Sequence, residues 1–150
     1  MTIVGTPRAA QVSRESLARF AAPAGVSASL AAATLFIVAR NPHETQLSFG
    51  CLMFNAVGVY CPGCGGTRAV HDVFTGDFAG ALHMNALVTL LVIPLGIAGL
   101  LYWFARSAGY RLPSFNPPMW VTWTAVGVVA AFWVVRNMPG LIGVLSPLTA

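Results

Sequence analysis

Residues 86–105, ALVTLLVIPLGIAGLLYWFA, run from Ala86 to Ala105 without one charged side chain. An α-helix rises about 1.5 Å per residue, so about 20 such residues cross the roughly 30 Å hydrocarbon core of a bilayer. The stretch therefore predicts a transmembrane helix, with Pro94 as a kink in its middle and Tyr102 and Trp103 as interfacial anchors at its end.

Two further stretches read the same way. Phe20 to Ala39, FAAPAGVSASLAAATLFIVA, follows Arg14 and Arg19 and ends at Arg40-Asn41-Pro42. Its Ala, Ser and Gly content suits packing against other helices better than full exposure to lipid. No A-x-A site followed by a polar start lies in it, so it reads as a retained anchor and not as a cleaved signal peptide. Met119 to Val135 is shorter, opens with Trp120 and Trp123, and closes with Trp133 before Arg136. The expected fold is all-α and integral to the membrane: an N-terminal arm (1–19), span 1 (20–39), a loop (40–85), span 2 (86–105), a connector (106–118), span 3 (119–135) and a tail (136–150).

Composition agrees. Of 150 residues, 8% are charged and 57% hydrophobic, with a mean hydropathy of +0.74. A soluble chain of this size could not bury that much apolar surface. The net charge of +4 comes from eight Arg, with no Lys. They are scattered singly, which excludes a nucleic-acid footprint. Arg8, Arg14, Arg19, Arg106 and Arg111 fall on one side of the three spans, against Arg40, Arg68 and Arg136 on the other. The excess of positive charge predicts a cytoplasmic N-terminus and an extracytoplasmic C-terminus in the cell membrane, with the 40–85 loop outside. Arg40 and Arg136 read as snorkelling anchors.

That outer loop carries Cys61-Pro62-Gly63-Cys64-Gly65-Gly66-Thr67-Arg68-Ala69. The spacing predicts a tight turn that brings two sulfurs together. A short interfacial helix follows, capped by the Thr67 hydroxyl, paired Arg68 to Asp72 at i, i+4, and stopped by Gly76. Asp77 caps a second helical segment, Phe78 to Met84. Three chemistries compete with a purely structural turn. Outside the cytoplasm, Cys61 and Cys64 can close a disulfide. They can cycle as a redox dithiol. They can also join Cys51 and His71 as three thiolates and an imidazole around zinc, although this spacing matches no standard pattern. His83 beside Met84 is a thin invitation to copper or haem; His83 and His43 read more simply as interfacial histidines that hydrogen-bond a neighbouring loop.

No Ser-His-Asp set, phosphate loop, H-E-x-x-H or intramembrane carboxylate is present, and the four acids all lie outside the spans. The chain is expected to be non-catalytic, without a small-molecule substrate and without a cofactor of its own.

The C-P-x-C-G-x-T-R-A pattern at Cys61–Ala69, followed by Gly76-Asp77, Ala81-Leu82 and Asn85-Ala86-Leu87, resembles a bacterial family of small integral membrane proteins of unknown function. Ala86 stands where that family usually has Pro, and Gly66 where Leu is common. The resemblance covers roughly residues 58–90 and implies three spans and no established catalysis. Actinobacterial members look like accessory subunits at the periphery of the respiratory cytochrome bcc and cytochrome c oxidase supercomplex, which would place haem and copper in partner subunits. The all-Arg basic usage fits a high-GC genome of that kind. The expected role is a non-catalytic accessory subunit held among other integral membrane subunits and lipid. The alternative is an extracytoplasmic metal-binding or thiol-redox factor built on the Cys loop.

Overall fold

A computed structural model describes residues 8–44, 52–114 and 116–139, with the backbone alone for 8–17 and 52. Every regular element in it is helical: α1 (Arg8–Arg40), α2 (Leu52–Val57), α3 (Gly66–Thr75), α4 (Phe78–Leu87), α5 (Ile93–Ser107) and α6 (Met119–Arg136). Three helices are long and apolar enough to cross a bilayer: Ala18–Arg40, the Phe78–Ser107 rod of α4 and α5, kinked at Asn85, and Met119–Arg136. The chain is thus an all-α membrane protein. The tail beyond residue 139 and the first seven residues lie outside the described part.

The rod changes character twice. Asn85 leaves the helical conformation (φ −160°, ψ 95°), and its Oδ1 accepts from Val88 N at 3.0 Å. Asn85 therefore breaks α4, closing its first part at Met84 and serving as the N-cap of the helix that resumes at Ala86. Thr89 Oγ1 lies 3.0 Å from the carbonyl of Ala81 and 2.9 Å from that of Asn85, so its single proton is shared between two acceptors at the break. A π-helical turn, Val88–Val92, then precedes Pro94. Proline removes an N–H and clashes with the preceding turn, and a widened turn is a recurrent way to absorb both.

α1 ends by a compact device. Asn41 has φ +38°, Pro42 cannot continue the helix, and Glu44 N bonds back to Asn41 O at 3.1 Å. The Asn41 side chain accepts from His43 N (3.2 Å) and donates to Glu44 Oε1 (2.9 Å). These bonds hold His43 at the tip of the turn.

At the same end of the molecule α3, α4, the loop from Tyr60 and the last residues of α6 pack into a layer, the head, with Phe54 of α2 stacked on Tyr60. The buried hydrophobics among the described residues, Tyr60, Ala69, Ala81 and Met84, are all in it. α3 ends in a Schellman closure, with Gly76 N on Val73 O (3.3 Å) and Asp77 N on Asp72 O (2.8 Å). Gly76 sits at φ +92°, a left-handed conformation that costs glycine least. Asp77 then caps α4 by accepting from Gly80 N at 2.8 Å. α6 is fastened at its far end. Trp133 Nε1 donates to Tyr60 O (2.8 Å), Asn137 Nδ2 donates to Tyr60 O (3.0 Å), and Tyr60 N donates to Asn137 Oδ1 (2.9 Å).

Candidate functional site

The Cys61–Cys64 segment is a hydrogen-bonded turn, with Cys64 N on Cys61 O at 3.2 Å and Gly66 N on Gly63 O at 3.0 Å. Gly65, at φ +77°, is the N-cap of α3, and no side chain caps that helix end. The expected Thr67 cap is therefore absent. Thr67 lies inside the first turn of a helix that begins at Gly66, two residues past the N-cap position that Gly65 occupies. The turn hangs on Asn85, whose Nδ2 donates to Pro62 O (2.9 Å) and Cys64 O (3.0 Å). With a relative exposure of 1%, that amide spends both donors on the loop and its acceptor on the following helix.

The two sulfurs are adjacent but not bonded to each other. Cys61 is a free thiol with its Sγ 2.9 Å from that of Cys64, and Cys64 is a half-cystine. A Cys61–Cys64 bridge is thus not the bond present, because Cys64 is already committed elsewhere. Cys51, the third sulfur of the expected zinc set, lies outside the described residues.

His71 is drawn into a different cluster. Its Nδ1 lies 3.2 Å from Asp72 Oδ1, and His43 Nε2 lies 2.7 Å from the same oxygen. The imidazole rings meet edge to face with centroids 5.5 Å apart. Asp72 is buried at the head's interior, and its Oδ2 has no hydrogen-bond partner. Among the described residues these three form the one group of His, Cys, Asp or Glu side chains close enough to share a metal ion; Cys61 and Cys64 are not in it. The expected Arg68–Asp72 pair is replaced. Asp72 faces the two histidines, while Arg68 Nε donates to Pro42 O at 3.3 Å. The α1 turn packs against α3 here and inserts His43 on the carboxylate side.

Arg136 departs from the snorkelling expectation as well. It is fully buried, with Nη2 donating to Met84 O at 3.0 Å and its guanidinium 5.6 Å from the Phe132 ring centroid. Its Nε and Nη1 have no partner. The end of α6 lies against the head, so this side chain is folded inward onto α4. His83 is half-buried on α4, and Met84 beside it is a buried core residue.

Sequence reading missed His43 as a neighbour of Asp72, the Asn85 clamp, and the Trp133–Asn137 fastening. The signals were present in outline, since Asn41-Pro42 is a turn that must stop α1 and Asn85 stands at the head of the most apolar run. Residues 51–99 match a family described as "Protein of unknown function (DUF2752)". No curated protein and no solved structure matches the chain.

Proposed function

We propose that this protein is a non-catalytic subunit of a larger membrane complex, with its spans packed on helices of other subunits and its head as a rigid outer cap. The observation that carries the reading concerns glycine. Gly25 on α1, Gly96 and Gly99 on α5, and Gly127 on α6 all open onto space that nothing among the described residues fills. Glycine inside a helix costs about 0.5–1 kcal/mol relative to alanine. Among the described residues no close approach offsets that cost. Small residues at membrane helix interfaces let backbones approach closely, so a neighbouring helix gives these positions their use. Burial points the same way: in the most apolar stretch of the three spans only 6%, 0% and 6% of residues are covered by the rest of the chain. The exposed face of α1 adds Ala21, Ala22, Ala24, Ala28 and Ser29 to Gly25.

The partner that the Cys61–Ala69 motif resemblance implies is the actinobacterial cytochrome bcc and cytochrome c oxidase supercomplex, whose own subunits carry the haem and copper. The orientation that fits the arginine distribution has the N-terminus in the cytoplasm and the head outside the cell membrane. The test is to tag the C-terminus, solubilise native membranes in mild detergent, and record co-purifying proteins and the visible spectrum. Stoichiometric haem-bearing subunits are the expected result, with Gly25→Ile reducing recovery of the partners while leaving the helical circular dichroism unchanged. A chain that purifies alone overturns the reading.

A second reading, a thiol-redox factor, rests on the free Cys61 thiol beside the Cys64 half-cystine. After loss of its proton to solvent, Cys61 Sγ would attack Cys64 Sγ. A Cys61–Cys64 bond would form and the existing partner of Cys64 would leave as a thiolate. Cys61→Ser with unchanged complex assembly and unchanged disulfide pattern eliminates it.

A further inference from the structure

We propose that His43, His71 and Asp72 bind a divalent transition-metal cation of the zinc class at the junction of the α1 turn and α3. His43 Nε2, His71 Nδ1 and an Asp72 carboxylate oxygen are contributed by two separate elements, and the three ligand atoms all lie within 4.8 Å of one another. The burial gradient suits an ion site. The Asp72 side chain is 7% exposed and that of His71 12%, whereas that of His43 is 35% exposed and leaves a way in.

Charge supplies the reason for an ion. A buried carboxylate is costly unless it is paired and its lone pairs are answered. Here both imidazoles converge on Oδ1 and leave Oδ2 buried with no donor. A dication seated among the three groups compensates the carboxylate charge and takes the nitrogen lone pairs, which two neutral imidazoles acting as N–H donors cannot do. Two imidazoles and one carboxylate suit zinc and its first-row neighbours, whereas calcium and magnesium sites are built from oxygen. Three protein ligands leave a fourth tetrahedral position for water.

The spacing is close to what the ion needs. With metal–nitrogen and metal–oxygen bonds of about 2.0–2.1 Å, neighbouring donor atoms on a tetrahedral ion lie roughly 3.3 Å apart. His71 Nδ1 is at 3.2 Å from Asp72 Oδ1 already, and His43 Nε2 at 2.7 Å has to withdraw by roughly 0.6 Å on that basis. His43 is the residue best placed to do so, because it stands on an exposed turn and not within a packed helix.

The experiment uses the full chain, purified in detergent, stripped with a chelator and titrated with zinc alone by calorimetry. Zinc K-edge absorption on the loaded wild type reads the ligand atoms. One zinc per chain with a nitrogen and oxygen shell is the expected result. His43→Ala, on the exposed turn, and Asp72→Asn should each weaken binding by more than about 100-fold, beyond what loss of an outer hydrogen-bond partner costs, while Cys61→Ser leaves it unchanged. Sulfur in the shell, loss of binding in Cys61→Ser, or no saturable uptake by the wild type overturns the proposal. The absorption spectrum of the wild type keeps the test independent of any folding defect in a variant.

Discussion

Replacing Asn85 by Ala removes a side chain that ties the Cys61–Cys64 turn to the start of span 2. Three hydrogen bonds disappear together: Nδ2 to Pro62 O, Nδ2 to Cys64 O, and Val88 N to Oδ1. Loss of the helix cap costs about 1 kcal/mol, and each carbonyl left without its donor in a buried setting costs about 1–3 kcal/mol. Allowing for partial relaxation, the turn loses on the order of 3–4 kcal/mol of local stability on these figures. At about 1.4 kcal/mol per tenfold, the open state of the loop becomes roughly 100–1,000 times more populated. Cys61 is a half-buried free thiol inside the turn, so its maleimide labelling rate in detergent-solubilised protein reads that opening directly. Asn85→Ala should label faster by about that factor, and Asn85→Asp should as well, because a carboxylate still caps Val88 but cannot donate to the two carbonyls. Helical circular dichroism should change little in either variant, since the spans do not depend on the turn. Labelling of Asn85→Ala at the wild-type rate, with an unchanged melting curve, would refute the clamp.

Asn137→Ala deletes the exchange with the Tyr60 backbone and a bond to Trp133 O. It should cost about 2–3 kcal/mol by the usual worth of such bonds and free α6 from the head, read as earlier proteolysis of the 106–118 connector or an earlier melt. Arg136→Met should be tolerated within about 1 kcal/mol, because two of the guanidinium's three nitrogens go unanswered in the burial site, whereas Arg136→Ala leaves a cavity and costs about 3 kcal/mol. Equal thermal losses for the two variants would show that the charge itself is held by something further. Asp77→Ala removes the cap on Gly80 N and should lower stability by about 1 kcal/mol; Asp77→Ser, which keeps an acceptor, should recover most of it in the same melting assay.

The elements most legible in the sequence are those set by local chemistry. Gly76 and Asp77 announce a stop and a start because both act on the backbone within a few residues, and the structure uses them so. The Ala86 boundary of span 2 was readable from hydropathy, yet its physical cause, the Asn85 cap, was readable only once the amide was seen to serve the loop and the helix together. The Thr67 cap failed for a local reason: Gly65 could reach the left-handed conformation and start α3 two residues earlier. The Arg68–Asp72 pair failed for a non-local one, since His43 arrives from a turn 29 residues away and takes the carboxylate.

Length and hydropathy by themselves determined that three helices are long and apolar enough to cross a membrane, because about 30 Å of hydrocarbon admits few other backbones and each helix satisfies its own hydrogen bonds. Which polar groups meet at the head was decided only by the tertiary structure. Tyr60 with Asn137, Met84 with Arg136, and Asp72 with His43 lie 77, 52 and 29 residues apart, and no periodicity encodes such distances. A buried polar group accepts whichever partner the packing of its elements brings within about 3 Å. That choice belongs to the folded chain as a whole.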